Sequence, residues 1–195
     1  MNQLRIRIDD VLVHSKGHNP DEKFAQVVRW LEQSPLIHHV PTILVKDIQD
    51  YPASVDLIIE KTKEGKMFPE LHGWTHIDYG KLNETEIAQH LFKSVDWFEK
   101  TLGYAPKVWA TPWGAESEKL TKVAYSFGLT VEGVGQTIPP GQWLAEARRY
   151  KTLPMDRTVM DHWWQRGLKL LRIATVLEYG SVVEAVKNRK DLWEA

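Results

Sequence analysis

Four times before residue 130, a strand-like run gives way to a segment of helical periodicity, and this repeat restricts the chain to an α/β architecture. The first run, Leu4-Arg5-Ile6-Arg7-Ile8, alternates apolar and charged residues up to Asp9-Asp10. Asn19-Pro20-Asp21-Glu22 then supplies a cap, a proline at the first helical position and an early acid, with Phe24, Val27, Val28 and Leu31 on one face behind them. Val40 to Val45 predicts a second strand, and Pro52 opens a helix carrying Val55, Ile58 and Ile59 that stops at Gly65. Phe68 to Leu71 predicts a short third strand. Asn83 with Glu86 forms a capping box for a helix whose apolar face, Ile87, Leu91, Val95, Phe98 and Leu102, ends at Gly103. Lys107 to Ala110 predicts a fourth strand, followed from about Glu116 by a helix burying Leu120, Val123, Ala124 and Phe127 and stopping at Gly128. A fifth strand is expected at Leu129 to Val134 and a longer loop over 135–147. Two more strands are expected around 150–154 and 158–163, then a helical tail with Ser181 and Glu184 as its capping box. Strand, helix, strand with short connections is the signature of a parallel sheet covered by helices. Periodicity does not choose between a barrel and an open doubly wound layer.

At 195 residues the chain is expected to form one domain, 1–195, with a proper core. Its 25 basic and 26 acidic residues nearly cancel, which leaves no electrostatic case for a nucleic-acid or anionic-membrane partner. The first residues run straight into a strand pattern and no apolar stretch is long enough to span a bilayer, so a cytoplasmic location is expected. There is no cysteine, so any metal must be held by nitrogen and oxygen.

Candidate ligands are conspicuous. In Leu71-His72-Gly73-Trp74-Thr75-His76-Ile77-Asp78-Tyr79-Gly80 two histidines stand four apart, a spacing at which both rings converge if the backbone makes one helical turn. Two imidazoles do not complete a catalytic site, and Asp9-Asp10 at the end of the first strand is the candidate for the rest. Adjacent side chains on a strand point to opposite faces, so one carboxylate could serve a metal and the other stand beside it. Taken singly, Asp9-Asp10 reads as readily as a solvated turn, and the histidine pair as surface or core residues.

Together, in this order and at this separation, Ile8-Asp9-Asp10 and His72-Gly73-Trp74-Thr75-His76 resemble the first two motifs of the NodB-homology polysaccharide deacetylases, carbohydrate esterase family 4. The resemblance implies a distorted (β/α) barrel of about seven parallel strands. It implies that Asp10, His72 and His76 hold a divalent metal, with Asp9 as general base. Zinc suits such a donor set, as do cobalt, nickel and iron. Barrel enzymes carry their chemistry after the C-terminal ends of strands, and Asp9, Asp10, His72, His76, Trp113 and His162 all lie at or just after a predicted strand end.

Lys107-Val108-Trp109-Ala110-Thr111-Pro112-Trp113-Gly114 resembles the family's third motif, an aromatic and then Arg-x-Pro-aromatic-Gly. Trp113 would line the substrate groove and offer its backbone N–H to the developing oxyanion. Ala110 stands where the family has the arginine that pairs with a carboxylate. Arg7, two residues before Asp9 on the same strand face, could approach the base and do that arginine's work; the competing reading has Arg5 and Arg7 pairing with acids on neighbouring strands. His162 is the candidate acid for the leaving amine, with Asp156 or Asp161 orienting its ring, and it could instead be a satisfied structural histidine. Trp74, Trp113, Trp163 and Trp164 fall in the candidate site loops, where flat apolar faces suit a sugar ring. Trp30, Trp97 and Trp193 fall in helices as packing residues, His14 and His18 could rim the pocket, and His90 falls on a polar, solvated helix face. The expected activity is metal-dependent hydrolysis of an N-acetyl group on an amino sugar or glycan. Hydrolysis of another small or cyclic amide, and glycan binding without catalysis, are the alternatives.

Overall fold

The computed structural model describes residues 4–11, 20–32, 37–132 and 158–162. Six strands, β1 (Leu4–Asp9), β2 (Ile37–Leu44), β3 (Glu70–Gly73), β4 (Val108–Ala110), β5 (Thr130–Glu132) and β6 (Thr158–His162), form one sheet in the order β5-β4-β3-β2-β1-β6. Every pairing is parallel, so all six C-terminal ends share one rim. The connecting helices are α1 (Pro20–Glu32), α2 (Val45–Ile48), α3 (Pro52–Lys63), α4 (Glu84–Leu102) and α5 (Glu118–Ser126).

The sheet curls. Three strands separate β1 from β5, which in a flat sheet would place them roughly 19 Å apart at about 4.8 Å per strand. Arg7 Nη1 of β1 nevertheless lies 3.5 Å from the backbone oxygen of Glu132 on β5 and 3.6 Å from its Oε2. An arginine side chain spans that gap only if the strands bend into a half-barrel, and the concave face is where Arg7 sits. The seventh strand that a barrel of about seven would need, expected near 150–154, lies outside the described residues, as do the expected loop 135–147 and the helical tail.

Local chemistry accounts for the helix ends. Asn83 accepts from Glu86 N while the Glu86 carboxylate accepts from Asn83 N, and Gly103 closes α4 at φ +80. Pro52 opens α3 behind Tyr51, whose side chain does not cap it. Asp21 of α1 does so from outside, accepting from Ser54 N at 2.9 Å and from the Ser54 hydroxyl. Ser117 caps α5, which therefore begins at Glu118, slightly later than the pattern suggested.

Between sheet and helices lie Ile43, Ile58, Leu71, Ile87, Leu91, Phe98, Trp109 and Leu120, all fully buried. Each such side chain contributes about 1.5–3 kcal/mol by leaving water. β2 and β3 differ most from the sequence reading, while β4 and β5 each begin one residue later. β2 begins at Ile37 and ends at Leu44, where the single turn α2 takes over. β3 runs Glu70–Gly73 rather than 68–71, because Pro69 cannot donate to the ladder, and His72 is thereby a strand residue. Among the described residues, no helix is long and apolar enough to cross a membrane.

Candidate metal and catalytic site

β1 delivers two carboxylates to the rim and separates them by a backbone flip. Asp9 is its last residue, and Asp10 turns into the left-handed region at φ +57, a conformation aspartate tolerates better than most residues. Strand alternation puts Arg7 and Asp9 on one face. The Arg7 fork grips Asp9 with Nε to Oδ1 at 2.9 Å and Nη2 to Oδ2 at 2.8 Å. Thr42 of β2 adds its hydroxyl to Asp9 Oδ1 at 2.9 Å. Arg7 is 2% exposed and Asp9 5%, so these charges have left water, and two charge-assisted bonds are what make that tolerable. Of the two expectations for Arg7, the described contacts place it on Asp9, and the second acid flanking its guanidinium, Glu132, comes from β5 across the curl and not from a neighbouring strand.

Asp10 faces the histidines instead. Its Oδ1 lies 2.8 Å from His72 Nε2 and 2.9 Å from His76 Nε2, and the three ligand atoms fall within 4.8 Å of one another. Burial opposes the charged form of Asp10, but hydrogen bonds and attraction from both imidazoles more than offset it and hold the carboxyl far below the ordinary range. His76 is pushed up by its hydrogen bond to Asp10, against partial burial, with Asp47 of α2 adding attraction. His72 Nδ1 reaches the Ala110 carbonyl oxygen at 2.6 Å, which directs Nε2 toward Asp10. Ala110 thus serves through its backbone, whatever its side chain.

The histidines do not converge through a helical turn, as their spacing suggested. His72 projects from β3, and a run of bends carries the chain round to His76. Three groups not singled out from the sequence support that path. Trp109 Nε1 donates to His72 O at 3.1 Å, Lys46 N donates to Trp74 O at 2.9 Å, and the buried Tyr79 hydroxyl accepts from Trp74 N at 2.8 Å. His90, expected to be solvated, is partly buried with its ring edge-to-face on Tyr79, because it stands among the buried α4 residues Ile87, Leu91 and Ser94.

The tryptophans divide. Trp113 stands 72% exposed in the turn Pro112–Gly114, at φ +60, with its ring 4.9 Å from that of His76. Asp10 and Trp113 are the two non-glycine residues with left-handed φ among those described, and both are at the site. Trp74 is partly buried against the core, with Lys93 of α4 over its ring at 5.6 Å. His162 is the last residue of β6 and pairs in register with Asp9, while Asp161 pairs with Ile8. His14, His18, Asp156, Trp163 and Trp164 lie outside the described residues.

One carboxylate oxygen and two imidazole nitrogens converging on a common point are a donor set suited to zinc and its neighbours, which bind each at about 2.0–2.2 Å. The hydrogen bonds now joining Asp10 to the histidines run between the same atoms, so the residues present fit a divalent ion.

The polysaccharide deacetylase family model matches residues 37–131, and no curated protein matches the chain. Among solved structures, a family 4 carbohydrate esterase pseudoenzyme from Bacillus anthracis superposes with a TM-score of 0.67 at 15% identity, over 97% of this chain and 62% of its own. A mutant of that pseudoenzyme described as having restored enzymatic activity gives 0.68 at 15%, over 96% and 63%. The chain therefore spans less than two thirds of these proteins' length. The peptidoglycan deacetylase PdaC from Bacillus subtilis gives 0.63 at 20%, over 97% of this chain and 94% of its own. A family 4 carbohydrate esterase from Streptomyces lividans in complex with acetate gives 0.67 at 15%, over 96% and 88%. At these identities the superpositions speak for the fold, a curled parallel half-barrel shared with the esterases. With the matched segment and the two motifs at the strand ends, the chain is similar to the polysaccharide deacetylases over residues 37–131 and shares its fold with family 4 carbohydrate esterases.

Proposed function

We propose that this protein is a metal-dependent hydrolase that removes the acetyl group from the amide nitrogen of an N-acetylated amino sugar or glycan. The observation that carries the reading is the juxtaposition of Asp10, His72 and His76 with a second carboxylate, Asp9, that is withheld from them by Arg7 and Thr42. Asp10, His72 and His76 would hold the ion, zinc or alternatively cobalt, nickel or iron. When bound it would lower the pKa of water and polarise the acyl carbonyl.

The rest falls to the chain's own side chains. Asp9 accepts the proton of the attacking water, and its three hydrogen bonds keep it aimed without consuming every lone pair. Arg7 takes the place of the third-motif arginine that Ala110 lacks, reaching the base from β1 instead of β4. Trp113 presents an exposed ring beside His76 as a wall for the sugar, and its backbone N–H is the candidate donor to the oxyanion. His162, with Asp161 beside it on β6, protonates the leaving nitrogen, a role supported by its backbone pairing with Asp9.

The test is metal content by elemental analysis of wild type, Asp10→Ala and His72→Ala, with acetate release from a panel of N-acetylated sugars with and without chelator. Near-stoichiometric metal, lost in both variants, and chelator-sensitive acetate release are expected. Ala110 in the arginine position favours one second reading, a member that has exchanged substrate or lost turnover. Metal without acetate release would move the assignment to another small or cyclic amide. Glycan binding indifferent to chelator, without turnover, would make the protein a binding module.

A further inference from the structure

The ten-residue run around the histidine pair contains a side chain that the proposed chemistry does not use. Tyr79 is completely buried, yet its hydroxyl points not into the core but at the main chain of the histidine loop. It accepts from Trp74 N at 2.8 Å. An amide held on that oxygen midway between His72 and His76 fixes the direction of the peptide there. On its far side the same oxygen lies 3.4 Å from His90 Nδ1, which can take its proton. Gly73 leaves the room: a Cβ there would sit 2.9 Å from the tyrosine oxygen, and the residue is at φ +153, which side chains rarely adopt.

The ring is held as firmly. Trp109 stands edge-on to it at 5.0 Å while donating its own indole N–H to His72 O, so one aromatic pair grips the loop before and after Gly73. Asp78 accepts from Gly80 N at 3.0 Å and sets the turn from which Tyr79 projects.

The geometry points to Tyr79 as a positioning residue of the candidate metal site: its hydroxyl ties the amide of Trp74 and thereby presents His76 to His72 and Asp10 before any ion arrives. This rests on the metal reading above. A simple packing role would need the ring alone. A positioning role needs the oxygen.

Tyr79→Phe separates the two, since it keeps the ring and removes the oxygen. Metal-free wild type and variant are titrated with cobalt(II), following the visible absorption bands, and with zinc by calorimetry; circular dichroism checks the fold. The expected result is folded Tyr79→Phe with metal affinity down about 10–100-fold, the range found when a supporting contact to a ligand is lost, and with altered cobalt bands. Folded Tyr79→Phe with the wild-type Kd and spectrum, even at a lower Tm, would overturn the inference. If Tyr79→Phe does not fold, Gly73→Ala decides, because its methyl group pushes on the same hydroxyl: weakened affinity supports the role and an unchanged Kd overturns it. Wild-type protein that takes up neither metal removes the metal reading itself, an outcome distinct from equal binding by both proteins.

Discussion

The proposed swap of an arginine from β4 to β1 can be tested by moving it back. Arg7→Ala removes two hydrogen bonds of 2.9 and 2.8 Å and leaves the buried Asp9 carboxylate with Thr42 for company. Breaking a buried, fork-held ion pair from one side costs about 3–5 kcal/mol of stability. If Asp9 is the base, loss of its aim should also lower kcat/KM by about 10²–10⁴-fold, the contribution of a positioned acid or base. Ala110 is fully buried on β4 and pairs in register with Glu132, the residue that also flanks the Arg7 guanidinium. An arginine at 110 can therefore enter the space that Arg7→Ala vacates. Ala110→Arg alone should be harmful, since it crowds a second cation into a filled interior. In the double variant activity should recover at least about tenfold over Arg7→Ala, a coupling of about 1.4 kcal/mol or more. The assay is kcat/KM for acetate release on all four proteins, with thermal melts alongside. A double variant no better than Arg7→Ala, or Arg7→Ala with wild-type kcat/KM, would refute the reasoning.

Metal affinity should depend on pH through His76, whose pKa in the metal-free protein is raised above the ordinary 6.5 by Asp10. An ion must displace that proton, so affinity should fall about tenfold per pH unit below the raised value and level off above it, as calorimetry across pH will read. The sign for stability is opposite: without metal, the contribution of protonated His76 is complete below 6.5 and lost as pH rises through its folded value, so the metal-free Tm should decline over that window. Thr42→Val keeps shape and removes the hydroxyl on Asp9, and should lower kcat about tenfold with little change in KM; an equal loss in metal content would show that it acts elsewhere. Trp113→Ala should raise KM for a sugar substrate while leaving metal content intact, and an unchanged KM would remove Trp113 from the substrate wall.

What could be read from the sequence was whatever is local. The Asn83 box, the Pro52 start and the Gly103 stop were legible because each rests on residues within one turn of each other. Asp9, Asp10, His72 and His76 were legible as motifs, and Arg7 as a neighbour of Asp9 on the same strand face. Thr42 was not, since a lone threonine in an apolar strand carries no sign of what lies on the next strand. Glu132 was hidden for a stronger reason: its approach to Arg7 depends on the curl of the whole sheet. Tyr79 sits in a polar run that looks exposed, and its burial follows from the path of the chain between β3 and α4. Trp74 and Trp113 look alike in sequence, and only the fold sends one under Lys93 and the other into the open beside His76.

The strand order also sets a timetable. From β1 to β5 each strand lies beside its predecessor in sequence, so five of the six described strands can assemble as the chain emerges, and this part carries Asp10, His72 and His76. The other edge of β1 waits for β6 from the far end of the described chain. Newly made molecules should therefore pass through a stage with a metal grip but an open flank, able to hold an ion and unable to turn over, and exposed to pairing with strangers. Pulsed hydrogen exchange would find the β1–β2 amides protected before those of β1–β6, and simultaneous protection would count against such a stage. On the proposed function, maturation would be the arrival of β6.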